Sequence, residues 1–554
     1  MDRFDLGKHT RAISTSSAEA QKWFDLGLNW CFCFNHEEGV KCFQRALECD
    51  PDCVMAQWGA AYGAGPFYNM AWCDFTGPEA AEATAFCHSH IQRARAAAHA
   101  ATKTENMLVE ALAQRFQKPH PVPQHEFDKW DDDYAAAMRQ VHEAHEDDHD
   151  IMAIHAEALM TRTPWKLWDV KRGVPPPGAD TYEALALIER SIAMHDAAGT
   201  PQHPAILHLH IHATEMSNDP GQAMRSADLL ADMCPDAGHM NHMPGHTYVL
   251  CGQYLRAKEV SEISIAADEK YLDYAGPYNF YTTARCHDLH LMMYTCMFLG
   301  QFEPAMKAAD QMCATLTKDV LTHRGATQTS VTMEGYYSMR MHVLIRFGRW
   351  RDIIEASLPE CPVIWCVSTP MHHYAKAIAY AFQRQFDQAE EQRQLFHEAV
   401  ARIPEGRKFF NNPAKSILSV GEKLMEGELA YHRGEHDVAF ALLREAVHLD
   451  DNLEYTEPWA WMHPPSHALA ALLAEQGQYA EAEDLYRTDL GLNDKLQRCA
   501  QHPDNVWALH GLVECLRQRG DTVELPDFEA RLEKALALTD TPVTSSCLCR
   551  TKVA

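Results

Sequence analysis

The chain has 554 residues, 46% of them apolar, and 77 acidic against 49 basic side chains give it a formal charge of −28. So acidic a protein lacks the basic face that phosphate backbones require, so neither DNA nor RNA is an expected partner. No stretch approaches 18 uninterrupted apolar residues, which excludes an apolar helical membrane span, and Met1-Asp2-Arg3-Phe4-Asp5 lacks the basic start and apolar run of a signal peptide. A cytoplasmic location is therefore expected.

The opening unit carries an internal pattern. Trp23, Leu26, Gly27, Trp30, Gly39, Phe43, Ala46 and Pro51 fall at the offsets of a 34-residue tetratricopeptide repeat. Large residues pack the first helix of such a unit on the second, small ones let the backbones approach, and the proline closes it. Cys31 and Cys33, like Cys547 and Cys549 at the far end, are separated by one residue with no matching second pair. That spacing does not make a zinc knuckle, and most of the 18 cysteines read as reduced, buried small hydrophobes.

His142, His145 and His149 sit among Glu143, Glu146, Asp147, Asp148 and Asp150, which reads as a solvated acidic helix end that binds nothing. Glu157 follows on a helix, with Trp165 and Trp168 in a loop beyond it, either packing anchors or a substrate wall. Residues 204–217 read as one helix. His208, His212 and Glu215 are spaced i, i+4, i+7, at about 0°, 40° and −20° around a 3.6-residue period, and so share one stripe. His210 points away and reads as structural or exposed. A second helix is expected over 221–233. The loop 234–243 then carries His239 and His242, Pro244 opens a new helix, and His246 lies in its first turn. The next first helix brings Arg285, His287 and His290.

In tetratricopeptide packing, the first helices of successive units stand side by side along a concave groove. The set 208/212/215 is then expected to face 239/242/246, with Glu157, His287 and His290 from adjoining units. Imidazoles and a carboxylate converging in this way suit a transition ion such as zinc, copper or iron. A polar groove without metal has the same composition, and both readings stay open. Arg285 is a candidate for holding an anionic group or for a structural ion pair. No His-Glu-x-x-His, nucleophile elbow, phosphate loop or dinucleotide fingerprint is present.

A shorter mark, Gly, any residue, an aromatic, then Ala, recurs at Gly252-Gln-Tyr254, Gly300-Gln-Phe302 and Gly477-Gln-Tyr479. Weaker copies stand at Gly348-Arg-Trp350, Arg384-Gln-Phe386 and Gly434-Glu-His436. The expectation is an all-α, tetratricopeptide-like right-handed superhelix of about 22 to 28 helices over residues 1–540, followed by a loose tail over 541–554.

The chain also resembles a group of bacterial and fungal tetratricopeptide-repeat domain proteins over almost its whole length. The likeness is carried by Asn35-His36-Glu37-Glu38, Ala156-Glu157-Ala158-Leu159-Met160 with Thr163-Pro164-Trp165, and Leu207-His208 with Ile211-His212 and Glu215. It continues through Gly238-His239, His242-Met243-Pro244, His246, Arg285, His287, His290, His373-Tyr374-Ala375-Lys376, Tyr455, Glu457-Pro458-Trp459, Trp461 and His502-Pro503 with Asn505-Val506-Trp507. Asp288 departs from the Asn, and His210 from the Tyr, that the resemblance implies. It implies the fold and no substrate.

Two functions from different classes follow. One is a metal-dependent enzyme acting on a small molecule over a transition ion held by His208, His212, Glu215, His239, His242 and His246. Glu157, Arg285, His287 and His290 would then be its catalytic groups. The other is an interaction scaffold that binds a peptide or protein partner without catalysis.

Overall fold

A computed structural model describes residues 3–323 and 332–550. Its described residues form 25 α-helices, within the expected range. The only sheet among them pairs Lys408–Phe409 with Asn412–Pro413. The architecture is all-α, of tetratricopeptide-like helical hairpins. Among these are Ala18–Phe32 with His36–Cys49, Ser368–Phe382 with Phe386–Ala401, and Ala414–His432 with His436–Asp450. No helix among the described residues is long and apolar enough to cross a membrane.

The small positions of the first repeat are set by one ring. A Cβ on Gly27 would come to 2.7 Å from the Phe43 ring, and one on Gly59 to 2.5 Å from the same ring. Phe43 is fully buried between these two helix backbones, and no larger residue fits at either glycine.

All six shorter sequence marks fall at hairpin turns built alike. The N–H of Gly252 donates to the carbonyl three residues back, and the next N–H to the carbonyl five back; Gly300, Gly348, Arg384, Gly434 and Gly477 repeat this. The turn residue is left-handed, with φ of 61–86° at the glycines and 59° at Arg384. Phe34 closes the first hairpin with the same two bonds, to Cys31 and Trp30, at φ 57°. A bulky residue there costs roughly 1–2 kcal/mol relative to glycine.

The chain divides into two compact units, one of residues 1–247 and 263–284, the other of 248–262 and 285–554. Within the second, residues 541–550 differ from the expected loose tail. The Arg346 guanidinium, itself buried, donates to the Ser546 carbonyl at 3.1 Å, and Arg550 pairs with Glu514. A buried cation needs such acceptors, which fixes the segment. Cys547 and Cys549 are disulfide-linked, while the other described cysteines are thiols.

Candidate metal centre in the first unit

The helix Pro204–Glu215 is buried all round, and its histidines are sorted by face. His210 turns to the helix that follows and pairs with the Ser226 hydroxyl at 2.7 Å, as a structural residue does. His208 and His212 turn the other way. The return segment differs slightly from expectation, a 3-10 turn over Pro220–Ala223 and then a short helix Met224–Leu230.

The larger correction concerns 234–246. His239 and His242 are not in a loop, and Pro244 does not open the helix. The helix begins at Gly238 and runs to Leu250, with Pro244 inside it. Asn241 draws the preceding turn inward by donating to the carbonyls of Cys234, Pro235 and Ala237. The His239 N–H donates to the Tyr281 hydroxyl at 3.2 Å, and a Cβ on Gly238 would collide with the Asp268 carboxylate. His239, His242 and His246 therefore lie i, i+3, i+7 on one helical stripe.

The two stripes meet. Ring centroids lie 5.0 Å apart for His208 and His239, 6.0 Å for His212 and His239, and 6.2 Å for His212 and His246. One ring nitrogen from each of His208, His212 and His239 lies within 4.8 Å of the others. His208 Nε2 faces His239 Nε2 at 3.2 Å, and His242 Nε2 faces His246 Nε2 at 2.5 Å. All five imidazoles are buried.

In three of the five rings the other nitrogen is anchored. His208 Nδ1 donates to the Phe32 carbonyl at 2.8 Å, which places its lone pair on Nε2. Glu215 spans two rings, one carboxylate oxygen 2.9 Å from His212 Nδ1 and the other 2.7 Å from His246 Nδ1. An ionised carboxylate only accepts, so both Nδ1 atoms carry the proton and both Nε2 atoms present lone pairs. Glu215, expected among the ligands, lies between the two rings and hydrogen-bonds both Nδ1 atoms. Burial holds the pKa of His208 well below the usual imidazole value, with a further contribution from His212, and burial lowers that of His212. Neutral imidazole is the ligating form.

Aromatic rings wall the cluster. Phe34 stacks on His212 at 5.6 Å and 14° and on His239 at 5.3 Å and 21°. Tyr68 lies 4.9 Å from His212, and Trp165 meets it edge-on at 6.2 Å. Phe34 and Trp165 are both non-glycine residues with positive φ, at 57° and 62°, and backbone strain of this kind gathers at functional sites. Trp168 is a packing anchor, its indole N–H donating to the Ala213 carbonyl at 2.7 Å. No motif in the sequence marks Tyr68. The signal for Phe34 was a hairpin turn with no glycine immediately before Asn35-His36.

Glu157 sits beside Tyr68, whose backbone N–H works against the rise in its pKa. Tyr62 donates to Glu157 Oε2, and Glu157 Oε1 is buried with no hydrogen-bond partner among the described residues. Burial raises its pKa, against the Tyr62 hydrogen bond and the charge of Arg115. Arg285, His287 and His290 belong to the second unit. There His290 is fully buried, stacked on Phe410 at 5.2 Å and 9°, with neither ring nitrogen hydrogen-bonded among the described residues. Burial, then His342, pushes its pKa down to about 3.

The acidic run after His142 also differs from expectation. His149 bonds Ser191 at 2.8 Å and stacks on His195, and Asp150 is buried. Arg11, from the N-terminal segment, pairs with both Asp148 and Asp150 and draws that end of the helix inward.

No family profile and no curated protein matches the chain. Solved structures to which it is similar include a human IFIT1 dimer with m7Gppp-AAAA, at 11% identity and TM-score 0.30, covering 94% of this chain and 91% of that one. The yeast Tom70 structure is 11% identical with TM-score 0.29, covering 93% and 92%. The P58(IPK) TPR domain is 10% identical with TM-score 0.21, covering 94% and 98%. The assignment to tetratricopeptide-like repeats rests on the helix pairs and turns of the chain itself.

Proposed function

We propose that the first unit holds one transition ion, of the zinc, copper or iron kind, through His208, His212 and His239, and that this ion serves a reaction on a small molecule. The observation that carries the reading is three buried ring nitrogens within 4.8 Å of one another, two of their rings anchored through Nδ1. Ligands 2.0–2.1 Å from a tetrahedral ion stand about 3.3 Å apart, and His208 Nε2 and His239 Nε2 are separated by 3.2 Å. Three protein ligands leave one position for water or substrate, where an ion supplies Lewis acidity. Glu215 fixes two tautomers, Phe34 and Tyr68 exclude bulk water, and Glu157 offers an unpaired carboxylate oxygen behind Tyr68 for proton transfer.

The test is elemental analysis of protein purified without a histidine tag. The His208→Gln/His212→Gln variant is expected to hold one stoichiometric transition ion fewer than the parent, with helicity by circular dichroism retained. Finding no such ion, even after reconstitution, overturns the reading.

A second reading, a scaffold that binds a peptide or protein partner, is favoured by the helical-hairpin repeat, an architecture commonly used for partner binding. It requires no metal, and the same elemental analysis separates the two.

A further inference from the structure

Away from the five imidazoles, the first unit contains another group of ligand-type atoms, drawn from three distant parts of the sequence. His9 comes from the N-terminal segment, Asp150 from the first turn of the helix His149–Thr161, and His203 caps the helix Pro204–Glu215. His9 Nε2 lies 2.9 Å and His203 Nε2 3.2 Å from the same oxygen, Asp150 Oδ1. The two rings meet at 65° with centroids 4.3 Å apart, and one ligand atom from each residue falls within 4.8 Å of the others. Adjacent ligands of a six-coordinate ion at about 2.1 Å stand about 3.0 Å apart, so these separations already suit a shared ion.

The surroundings are built rather than accidental. Arg11 takes the other oxygen, Asp150 Oδ2, at 2.8 Å and binds Asp148 through both of its terminal nitrogens, leaving Oδ1 directed at the imidazoles. The Phe32 ring packs against His9 at 5.8 Å and His203 at 5.4 Å. His9 is held by its backbone. Its carbonyl accepts from Asn29, Leu6 accepts from Cys234, and the Asp5 N–H donates to Asp236. Gly7, at φ 85°, passes so close to the Met233 carbonyl that a Cβ would stand 2.6 Å from it. His203 is 3% exposed, and its Nδ1 has no hydrogen-bond partner among the described residues.

The three residues also line a cavity of about 900 Å³, along with five carboxylates in all against two cationic side chains, Lys8 and Arg11. A two-histidine, one-carboxylate set that opens onto a negatively charged, roomy cavity is a donor set for a divalent first-row cation with coordination positions to spare.

We propose that His9, Asp150 and His203 form a second metal site, for a divalent first-row cation whose open positions face the cavity, and that the ion clamps the N-terminal segment to the body of the unit. The site shares no ligand with the His208/His212/His239 centre and does not depend on it.

The experiment titrates cobalt(II) into full-length, tag-free, chelator-stripped protein and follows the visible ligand-field bands. His9→Gln/His203→Gln keeps side chains that donate to Asp150 while removing both imidazole ligands. It is expected to bind one equivalent fewer than the parent, while His208→Gln/His212→Gln loses a different equivalent with different bands. His9→Gln alone, at a half-buried position, is expected to fold normally and to bind that cobalt on the order of 100-fold more weakly. If both centres fail, the parent binds none. If only the first fails, the parent binds one ion, which the His9/His203 variant loses. Cobalt stoichiometry and affinity unchanged in His9→Gln and in a folded double variant overturn the proposal.

Discussion

The carboxylate of Glu215 gives the sharpest lever on the imidazole cluster. It accepts from His212 Nδ1 at 2.9 Å and from His246 Nδ1 at 2.7 Å, and is itself fully buried. Glu215→Gln preserves shape but replaces one acceptor with an NH₂ donor. One of the two Nδ1–H groups then meets a donor at under 3 Å and must either go unpaired or transfer its proton to Nε2. An unpaired buried donor costs about 1–3 kcal/mol, and a proton on Nε2 removes a lone pair from the cluster. The expected result is zinc affinity about 10 to 100-fold weaker, as befits a residue that orients ligands. A competition titration against a chromophoric chelator measures this. Long-range ¹⁵N–¹H spectra of the metal-free protein should show His212 protonated on Nδ1 in the parent and an altered tautomer at His212 or His246 in the variant. Affinity within 3-fold of the parent, or parental His212 protonated on Nε2, would refute the tautomer argument.

Two further outcomes follow from other parts of the molecule. Arg384 and Phe34 occupy the same left-handed turn position, one exposed and one buried. Arg384→Gly should stabilise the protein by about 1 kcal/mol, whereas Phe34→Gly should destabilise it by about 2–4 kcal/mol, because the lost ring outweighs the relieved turn; urea midpoints check both. Glu428 in the second unit is fully buried, and burial pushes its pKa up to about 8. Its folded pKa exceeds the unfolded value near 4.5, so the native state binds the extra proton and stability falls as pH rises from about 4.5 to 8. Glu428→Gln should flatten that slope and gain on the parent at pH 8, with an upper limit on the order of 5 kcal/mol, while urea midpoints at pH 4.5 stay close.

The repeat was legible because its glycines obey backbone geometry. The marks at Gly252, Gly300, Gly348, Gly434 and Gly477 need φ above zero, and that requirement is visible in a residue name. The grouping of His208 with His212 followed from helical period alone. Phe34 is marked in the sequence only by the missing glycine at its turn, and only the rings it covers make a bulky residue tolerable there. Pro244 misled because proline favours the first turn of a helix, while the cap that lets this helix start at Gly238 comes from Tyr281, far along the chain. Asp150 was hidden by its neighbours. Five acidic residues in eight read as solvated, and nothing local announces the Arg11 guanidinium that arrives from 139 positions away.

The bond from His208 to the Phe32 carbonyl spans 176 positions. In an ordinary repeat array each unit touches only its neighbours, so stability adds along the chain and pieces can be removed or duplicated. Here the first hairpin, with its unfavourable turn at Phe34, leans on rings from the Pro204–Glu215 helix. The first unit should therefore melt in one cooperative step rather than fray from its N-terminal end. A fragment that stops before Pro204 leaves Phe34 strained and uncovered, so a library that shuffles or trims these hairpins should find the opening one untransferable by itself.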